Sequence, residues 1–215
     1  MREISHKESD DNDIAVTTAC IDEIIESSKR NGWKSTGVPG AGKTFVGLNI
    51  ANRRHRFNSG DEEHAVFLSG NEPLVTVLRE ALTRDQNEKR KQHCADCKVS
   101  CSRRDCDGCE FNMTKGQIFA ETKSFIQMIH WFRDGTLLEG HPAPIDKIAI
   151  FDEAQRAWKK ERLSKFMRTK KGQPSFNMSE PECLIEYMNR HQGWATIVCL
   201  VGGGQEIHDG EAGIS

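Results

Sequence analysis

The chain has 215 residues, enough for one substantial α/β core with a small insertion and too few for two full domains. Its 30 Lys and Arg against 32 Asp and Glu leave a net charge of −2, so affinity for a polyanion has to come from local basic patches. There is no apolar run of about eighteen residues, and Met1–Asp13 is polar rather than a secretory leader, which predicts a cytoplasmic protein with no membrane span.

Met1–Asp13 is acidic and is expected to form a polar tail. Beyond it Ile14, Ile21, Ile24 and Ile25 recur at helical spacing, and Lys29, Arg30 and Gly32 make a helix end. Only Trp33-Lys34-Ser35-Thr36 then precedes Gly37, a short and polar stretch for a buried parallel strand.

Gly37-Val38-Pro39-Gly40-Ala41-Gly42-Lys43-Thr44 fits G-x-x-x-x-G-K-[ST], the pattern of a phosphate-binding P-loop. Gly37, Gly40 and Gly42 let the backbone turn tightly so that its N–H groups face phosphates. Lys43 reaches the β and γ phosphates, and the Thr44 hydroxyl takes a place on Mg²⁺. Thr44–Ala51 reads as a buried helix running toward Ser59-Gly60. Ala65–Leu68 is a short apolar strand closed by Ser69-Gly70-Asn71, and Leu74, Leu78, Ala81 and Leu82 mark a helix with Pro73 near its start. Alternating strand and helix predicts an α/β fold with a parallel central sheet covered on both faces.

Between Asp85 and Phe111 the apolar pattern stops and five cysteines appear: Cys94, Cys97, Cys101, Cys106 and Cys109. A nucleotide-type site without an export signal points to a reducing compartment, where clustered cysteines bind metal more often than they form disulfides. Cys94-x-x-Cys97 and Cys106-x-x-Cys109 suit a closed tetrahedral zinc site, with Cys101 as a substitute ligand and His93 adjacent. An iron–sulfur cluster and free thiols are the other readings. A metal would also staple a Cys-rich insertion, residues 86–111, that is otherwise long for an ordered loop.

Helical spacing resumes with Ile118, Phe119, Phe125, Ile126, Ile129 and Phe132, expected to be core packing. Trp131 is read as buried in the same stripe, with stacking on a base as its other use. Ile148-Ala149-Ile150-Phe151-Asp152-Glu153-Ala154-Gln155 is an apolar strand ending in two carboxylates, a Walker B pattern. Asp152 would hold Mg²⁺ through carboxylate oxygen, and Glu153 is placed to deprotonate an attacking water. Arg156–Lys171 then carries eight basic residues against one acid, Glu161, with Trp158, Leu163, Phe166 and Met167 interleaved. Arg156, Lys159 and Lys160 are candidate phosphate contacts, and a solvated helix face is the competing reading. Ser179-Glu180-Pro181-Glu182 has the form of a capping box. The most apolar strand, Ala195–Val201, runs into Gly202-Gly203-Gly204-Gln205, where Gln205 senses a γ-phosphate unless the glycines only form a turn.

Gly37–Thr44, Leu68-Ser69-Gly70-Asn71, Phe151–Trp158, Ser179–Glu182 and Val201–Ile207 together resemble the Schlafen group 3-like DNA/RNA helicase domain family, itself similar to superfamily 1 helicases. The likeness runs from about Asn12 to the end, and the ordered set is far more specific than any one motif. It implies that Lys43 and Thr44 serve motif I, Asp152 and Glu153 motif II and Gln205 motif III. It also implies that Leu68–Asn71, with Ser69 and Asn71, faces nucleic acid, and that the His130 segment matches the region that follows. The strand before the glycine-rich loop is abbreviated relative to the family, and the cysteine cluster stands outside its motif set.

The resemblance further implies a three-layer RecA-like P-loop NTPase domain over residues 14–215, with a second RecA-like domain missing from this chain. In superfamily 1 enzymes ATP lies between two such domains, and the second supplies arginines worth about 10³ to 10⁵ in rate in related NTPases. The expected function is therefore the ATP-binding motor domain of a nucleic-acid-dependent ATPase or helicase, using ATP, Mg²⁺ and zinc, binding DNA or RNA, and inactive in unwinding by itself. A P-loop switch or kinase, or a zinc-stabilised nucleic-acid-binding module with a degenerate nucleotide site, are the alternatives.

Overall fold

The computed structural model describes residues 2–32, 34–37, 43–55, 64–96, 113–134 and 142–201, with the backbone alone for 2–13, 34–37 and 93–96. Its strands are β1 (Lys34–Gly37), β2 (Ala65–Ser69), β3 (Ile126–Met128), β4 (Ile148–Asp152) and β5 (Ala195–Leu200). They form one sheet of order β1-β5-β4-β2-β3. β1 pairs with β5, β5 with β4, and β4 with β2, each in parallel. The helices among the described residues are α1 (Arg2–Asn31), α2 (Lys43–Arg54), α3 (Glu72–Asp96), α4 (Lys115–Phe125), α5 (Ile129–Asp134), α6 (Lys160–Lys170) and α7 (Glu180–Met188).

The chain divides into two compact units, Met1–Gly70 with Gln127–Ser215, and Asn71–Ile126. In the first, β2 and β4 are buried at every position, the pattern of parallel strands covered on both faces. Val66, Leu68, Ala149, Phe151 and Ile197 point to one side, where Ile129 and Phe132 of α5 and Leu184 and Met188 of α7 complete a core. Phe67, Ile150 and Leu200 point to the other, and there α2 lies so close that a Cβ on Gly47 would sit 2.6 Å from Leu200 Cδ1 and 2.9 Å from Ile150 Cγ2. This helix–sheet–helix layering is a mixed α/β architecture compatible with a RecA-like fold. Among the described residues no helix is long and apolar enough to cross a membrane.

The second unit pairs α3 with α4. Arg79 Nε donates to the Ile126 carbonyl at 2.9 Å and Arg90 Nη1 to that of Met113 at 2.9 Å. Thr114 and Gln117 form a reciprocal capping box at the start of α4.

Several expectations are revised. β1 exists despite its polar sequence, because its parallel ladder to β5 runs in register from Lys34↔Ala195 to Gly37↔Val198 and backbone pairing needs no apolar side chain. The first helix begins at Arg2 rather than after Asp13, and no glycine or proline before Gly32 interrupts it. α2 stops at Arg54, short of Ser59-Gly60, where Arg53 and Arg54 both reach Asp22 of α1, at 2.8 and 2.9 Å. α3 continues past Asp85, where a loop was expected, as far as Asp96, since Lys, Arg, Gln and Glu are good helix formers without an apolar face. The stripe from Ile118 to Phe132 is not one helix. Ile126 and Met128 are buried with Gln127 between them, a strand period that divides α4 from α5. Trp131, expected in the core, is 66 % exposed.

Candidate functional site

The carboxyl ends of the parallel strands converge where β4 delivers Asp152, with Ser69 of β2 and Leu200 of β5 in register on either side. Open α/β sheets bind ligands at this edge. α2 starts at the same edge. Its first residue, Lys43, donates from Nζ to the carbonyl of Val201, just beyond β5, at 2.5 Å. Its second, Thr44, donates from Oγ1 to the Asp152 carboxylate, 2.9 Å from Oδ2 and 3.1 Å from Oδ1. The start of the α2 helix, the end of β4 and the end of β5 are thus tied together by the side chains of two consecutive residues. Gly47 belongs to the same arrangement: without a side chain, it lets α2 descend onto β4 and β5 and aligns this edge.

Asp152 is 2 % exposed. Burial pushes its carboxyl above the usual carboxylate range, the Thr44 hydroxyl and the Lys43 charge pull it back, and the neighbouring Glu153 charge adds to the rise. Two hard oxygen groups, a carboxylate and a hydroxyl, therefore face one point beside a lysine ammonium. This is the donor set that Mg²⁺ takes in phosphate sites.

Glu153 is, among the described residues, the one non-glycine residue with a positive φ, 52°. Such a left-handed conformation costs energy for a residue with a Cβ and concentrates at functional positions. It turns the chain directly from the strand into a single 3₁₀ turn, Ala154–Arg156, whose last N–H returns to the Glu153 carbonyl at 2.9 Å. The Glu153 side chain stays partly exposed and accepts from Arg156 Nη1 at 3.2 Å. Gln155, between them, is buried.

The segment that follows is anchored by residues whose pairing sequence patterns did not disclose. Glu180 is buried, and its Oε2 accepts from the Trp158 N–H at 2.9 Å while its own N–H donates to the Trp158 carbonyl at 3.1 Å. Its other oxygen meets Arg133 Nη1 at 3.2 Å. The capping box Ser179–Glu182 was legible and forms as expected, but the acid inside it turns inward to pin the chain just after Glu153. A charged residue in a helix's first turn has an ordinary explanation, the macrodipole, and nothing in the local sequence signals that Arg133 lies opposite.

The remaining candidates are placed as follows. Gly37 ends β1. Ser69 is fully buried at the end of β2, facing Asp152 across the ladder. Asn71 caps α3, its Oδ1 accepting from Leu74 N at 3.3 Å. Arg156 and Lys159 are exposed and Lys160 is half-buried. Cys94 falls in the last turn of α3. Gly40, Gly42, Cys97, Cys101, Cys106, Cys109 and Gln205 lie outside the described residues.

A family model matches most of the chain. That model is described as Schlafen group 3, DNA/RNA helicase domain, and it covers residues 35–215. The chain belongs to this family. The match opens inside β1 and takes in every parallel strand of the sheet, so α1 precedes the Schlafen group 3 helicase domain proper. No curated protein and no solved structure matches the chain.

Proposed function

We propose that this Schlafen group 3 helicase domain binds ATP·Mg²⁺ at the carboxyl edge of its sheet and is the P-loop motor half of a nucleic-acid-dependent ATPase. The observation that carries this is the contact of Thr44 with Asp152, next to Lys43 at the head of α2. Family membership supports the nucleic-acid side.

In this reading Gly37, Gly40 and Gly42 supply backbone N–H groups to the phosphates, and Lys43 leaves the Val201 carbonyl to neutralise the β and γ phosphates. Thr44 and Asp152 would hold Mg²⁺, which when bound would neutralise charge on the phosphate oxygens. Glu153 accepts a proton from the attacking water and Gln205 reports the state of the γ-phosphate. The left-handed turn at Glu153 projects its carboxylate off the strand end while Arg156 orients it. Arg156, Lys159 and Lys160 serve the nucleic-acid side, whereas Ser69 is fully buried beside Asp152 and supports the strand end rather than touching a ligand.

Catalysis at full rate and unwinding belong to an assembly with a second RecA-like domain. The thiolates of Cys94, Cys97, Cys106 and Cys109, with Cys101 as a substitute, form a soft donor set suited to zinc within the 86–111 insertion. Elemental analysis of the purified protein tests this, with one zinc per chain as the expected result.

The functional test compares ATPase activity of wild type and Glu153→Gln, with and without single-stranded DNA or RNA. Nucleic-acid stimulation that Glu153→Gln abolishes supports the reading. A switch or kinase would show no stimulation, and a binding module with a degenerate site would show no ATP affinity.

A further inference from the structure

We infer that the outward face of α6 is a docking surface for the phosphodiester backbone of a single-stranded nucleic acid, with Lys159, Arg162, Lys165 and Arg168 as its phosphate contacts. The inference rests on the nucleic-acid part of the function proposed above and extends it from Lys159 along the helix to Arg162, Lys165 and Arg168.

Seating comes first. Leu163 and Met167 are fully buried against Cys183, with Trp158, Phe166, Phe176 and Met178 around them, so the helix is fixed with one face in the core. Arg162, Lys165 and Arg168 then follow one another at three-residue steps on the opposite side, all exposed, with Lys159 exposed at the N-cap. Among the described residues none of these four is ion-paired. Of the acids around them, Asp134 is committed to Lys171 and Arg133, Glu180 to Arg133, and Glu182 to the N–H and hydroxyl of Ser179, which leaves Glu161 as the one acid on α6 itself. Arg162 lies 4.3 Å over the Trp158 ring, a cation–π contact rather than an ion pair.

A solvated helix face does not account for this pattern. The macrodipole favours cations in the last turn, which explains Arg168 and Lys170. It disfavours them in the first turn, where Lys159, Lys160 and Arg162 stand with Glu161 as the one acid. Lys159 makes no side-chain cap, so no local gain offsets that cost. Local rules broken in one direction on one surface mark a site built for a polyanion. An anionic membrane is the poorer fit: a membrane-surface helix needs an exposed apolar face, and here that face is in the core.

The test measures binding of labelled poly(dT) and poly(rU) to the full chain by fluorescence anisotropy across a salt series. The variants are Lys159→Ala/Lys165→Ala/Arg168→Ala and, as a milder change, Lys165→Glu, with circular dichroism to verify the fold. The triple variant should lower the slope of log K against log salt by about 2, at about 0.7 for each phosphate no longer neutralised, and weaken binding on the order of tenfold to a hundredfold near 0.1 M salt. Lys165→Glu should weaken binding in the same direction. Wild-type slope and affinity in both folded variants would overturn the inference. So would tighter binding of wild type to phosphatidylserine vesicles than to either polymer, or no binding of wild type to the polymers. Lys43→Ala separates the two proposals: it should weaken ATP binding at least about tenfold and leave the salt slope unchanged. If wild type binds no ATP while the slope behaves as stated, the nucleotide site fails and this surface stands.

Discussion

Thr44 Oγ1 reaches both carboxylate oxygens of Asp152, at 2.9 and 3.1 Å, across 108 residues of sequence. The contact joins the first turn of α2 to the last residue of β4, and it makes Asp152 the residue on which stability and ligand binding should part company. Burial, chiefly, raises the Asp152 carboxyl, so its ionised form costs the fold at neutral pH. Asp152→Asn should therefore leave the thermal midpoint at pH 7 no lower than wild type. Its affinity for ATP·Mg²⁺ should fall by roughly tenfold or more, the scale of removing one charged interaction. Calorimetric titration and thermal unfolding of the same preparation check both halves. In wild type, nucleotide binding should weaken as pH falls through a value above the ordinary carboxylate range, because the protonated form cannot hold the cation.

Gly47 is the second lever on the same edge. Alanine is the better helix former by about 1 kcal/mol. Here its Cβ would meet Ile150 Cγ2, on a stiff β-branched side chain, at 2.9 Å and Leu200 Cδ1, in the core, at 2.6 Å. Overpacking of this kind costs roughly 1 to 3 kcal/mol, which outweighs the helix gain. Gly47→Ala should lower stability in denaturant titration and weaken nucleotide binding, since Lys43 and Thr44 ride on the same helix.

The Arg133–Glu180 pair predicts a non-additive cycle. Both side chains are buried, and Arg133 also lies 5.5 Å over the Phe166 ring. Glu180→Ala removes one of the two carboxylates that face the buried Arg133 guanidinium, leaving Asp134, and takes away the acceptor of the Trp158 N–H, a loss on the order of 3 kcal/mol. Arg133→Met/Glu180→Leu should cost less than Glu180→Ala alone. Equal and additive losses from urea unfolding would reduce the pair to ordinary packing.

How much of this was legible depends on how far each signal reaches along the chain. Ala65–Ser69, Ile148–Asp152 and Ala195–Leu200 announce themselves because buried parallel strands need unbroken apolar runs. β1 does not, because its stability resides in the ladder to β5. The left-handed Glu153, the inward turn of Glu180 and the docking of Gly47 arise from tertiary contacts, and Gly47 alone left a trace, as a glycine inside a helical run. Trp131 misleads in the opposite direction, since an aromatic in an apolar stripe reads as core and this one faces solvent.

Two desolvated groups, buried His55 and half-buried Asp146, should give the stability curve opposing slopes in mild acid. Burial, with a smaller contribution from His64, lowers the His55 pKa from 6.5 to about 4, so the unfolded chain binds the extra proton and His55 costs stability as pH falls from 6.5 to about 4. Burial raises Asp146 from 3.8 to about 6, so the folded chain holds the extra proton and Asp146 costs stability as pH rises from 3.8 to about 6. His55→Gln should leave stability falling as pH rises between about 4 and 6, and Asp146→Asn should leave it rising. Chemical denaturation at several pH values in this window measures both slopes.

The edge shared by Lys43, Thr44 and Asp152 is proposed as a nucleotide site. The most direct measurement is calorimetric titration of the full chain with ATP, with and without Mg²⁺, for wild type and Lys43→Ala. Wild type should bind ATP in a Mg²⁺-dependent manner, and Lys43→Ala should bind at least about tenfold more weakly while remaining folded, as expected when a charged hydrogen bond to phosphate is removed. Equal affinity of the two proteins for ATP, or no binding by folded wild type, would contradict the account.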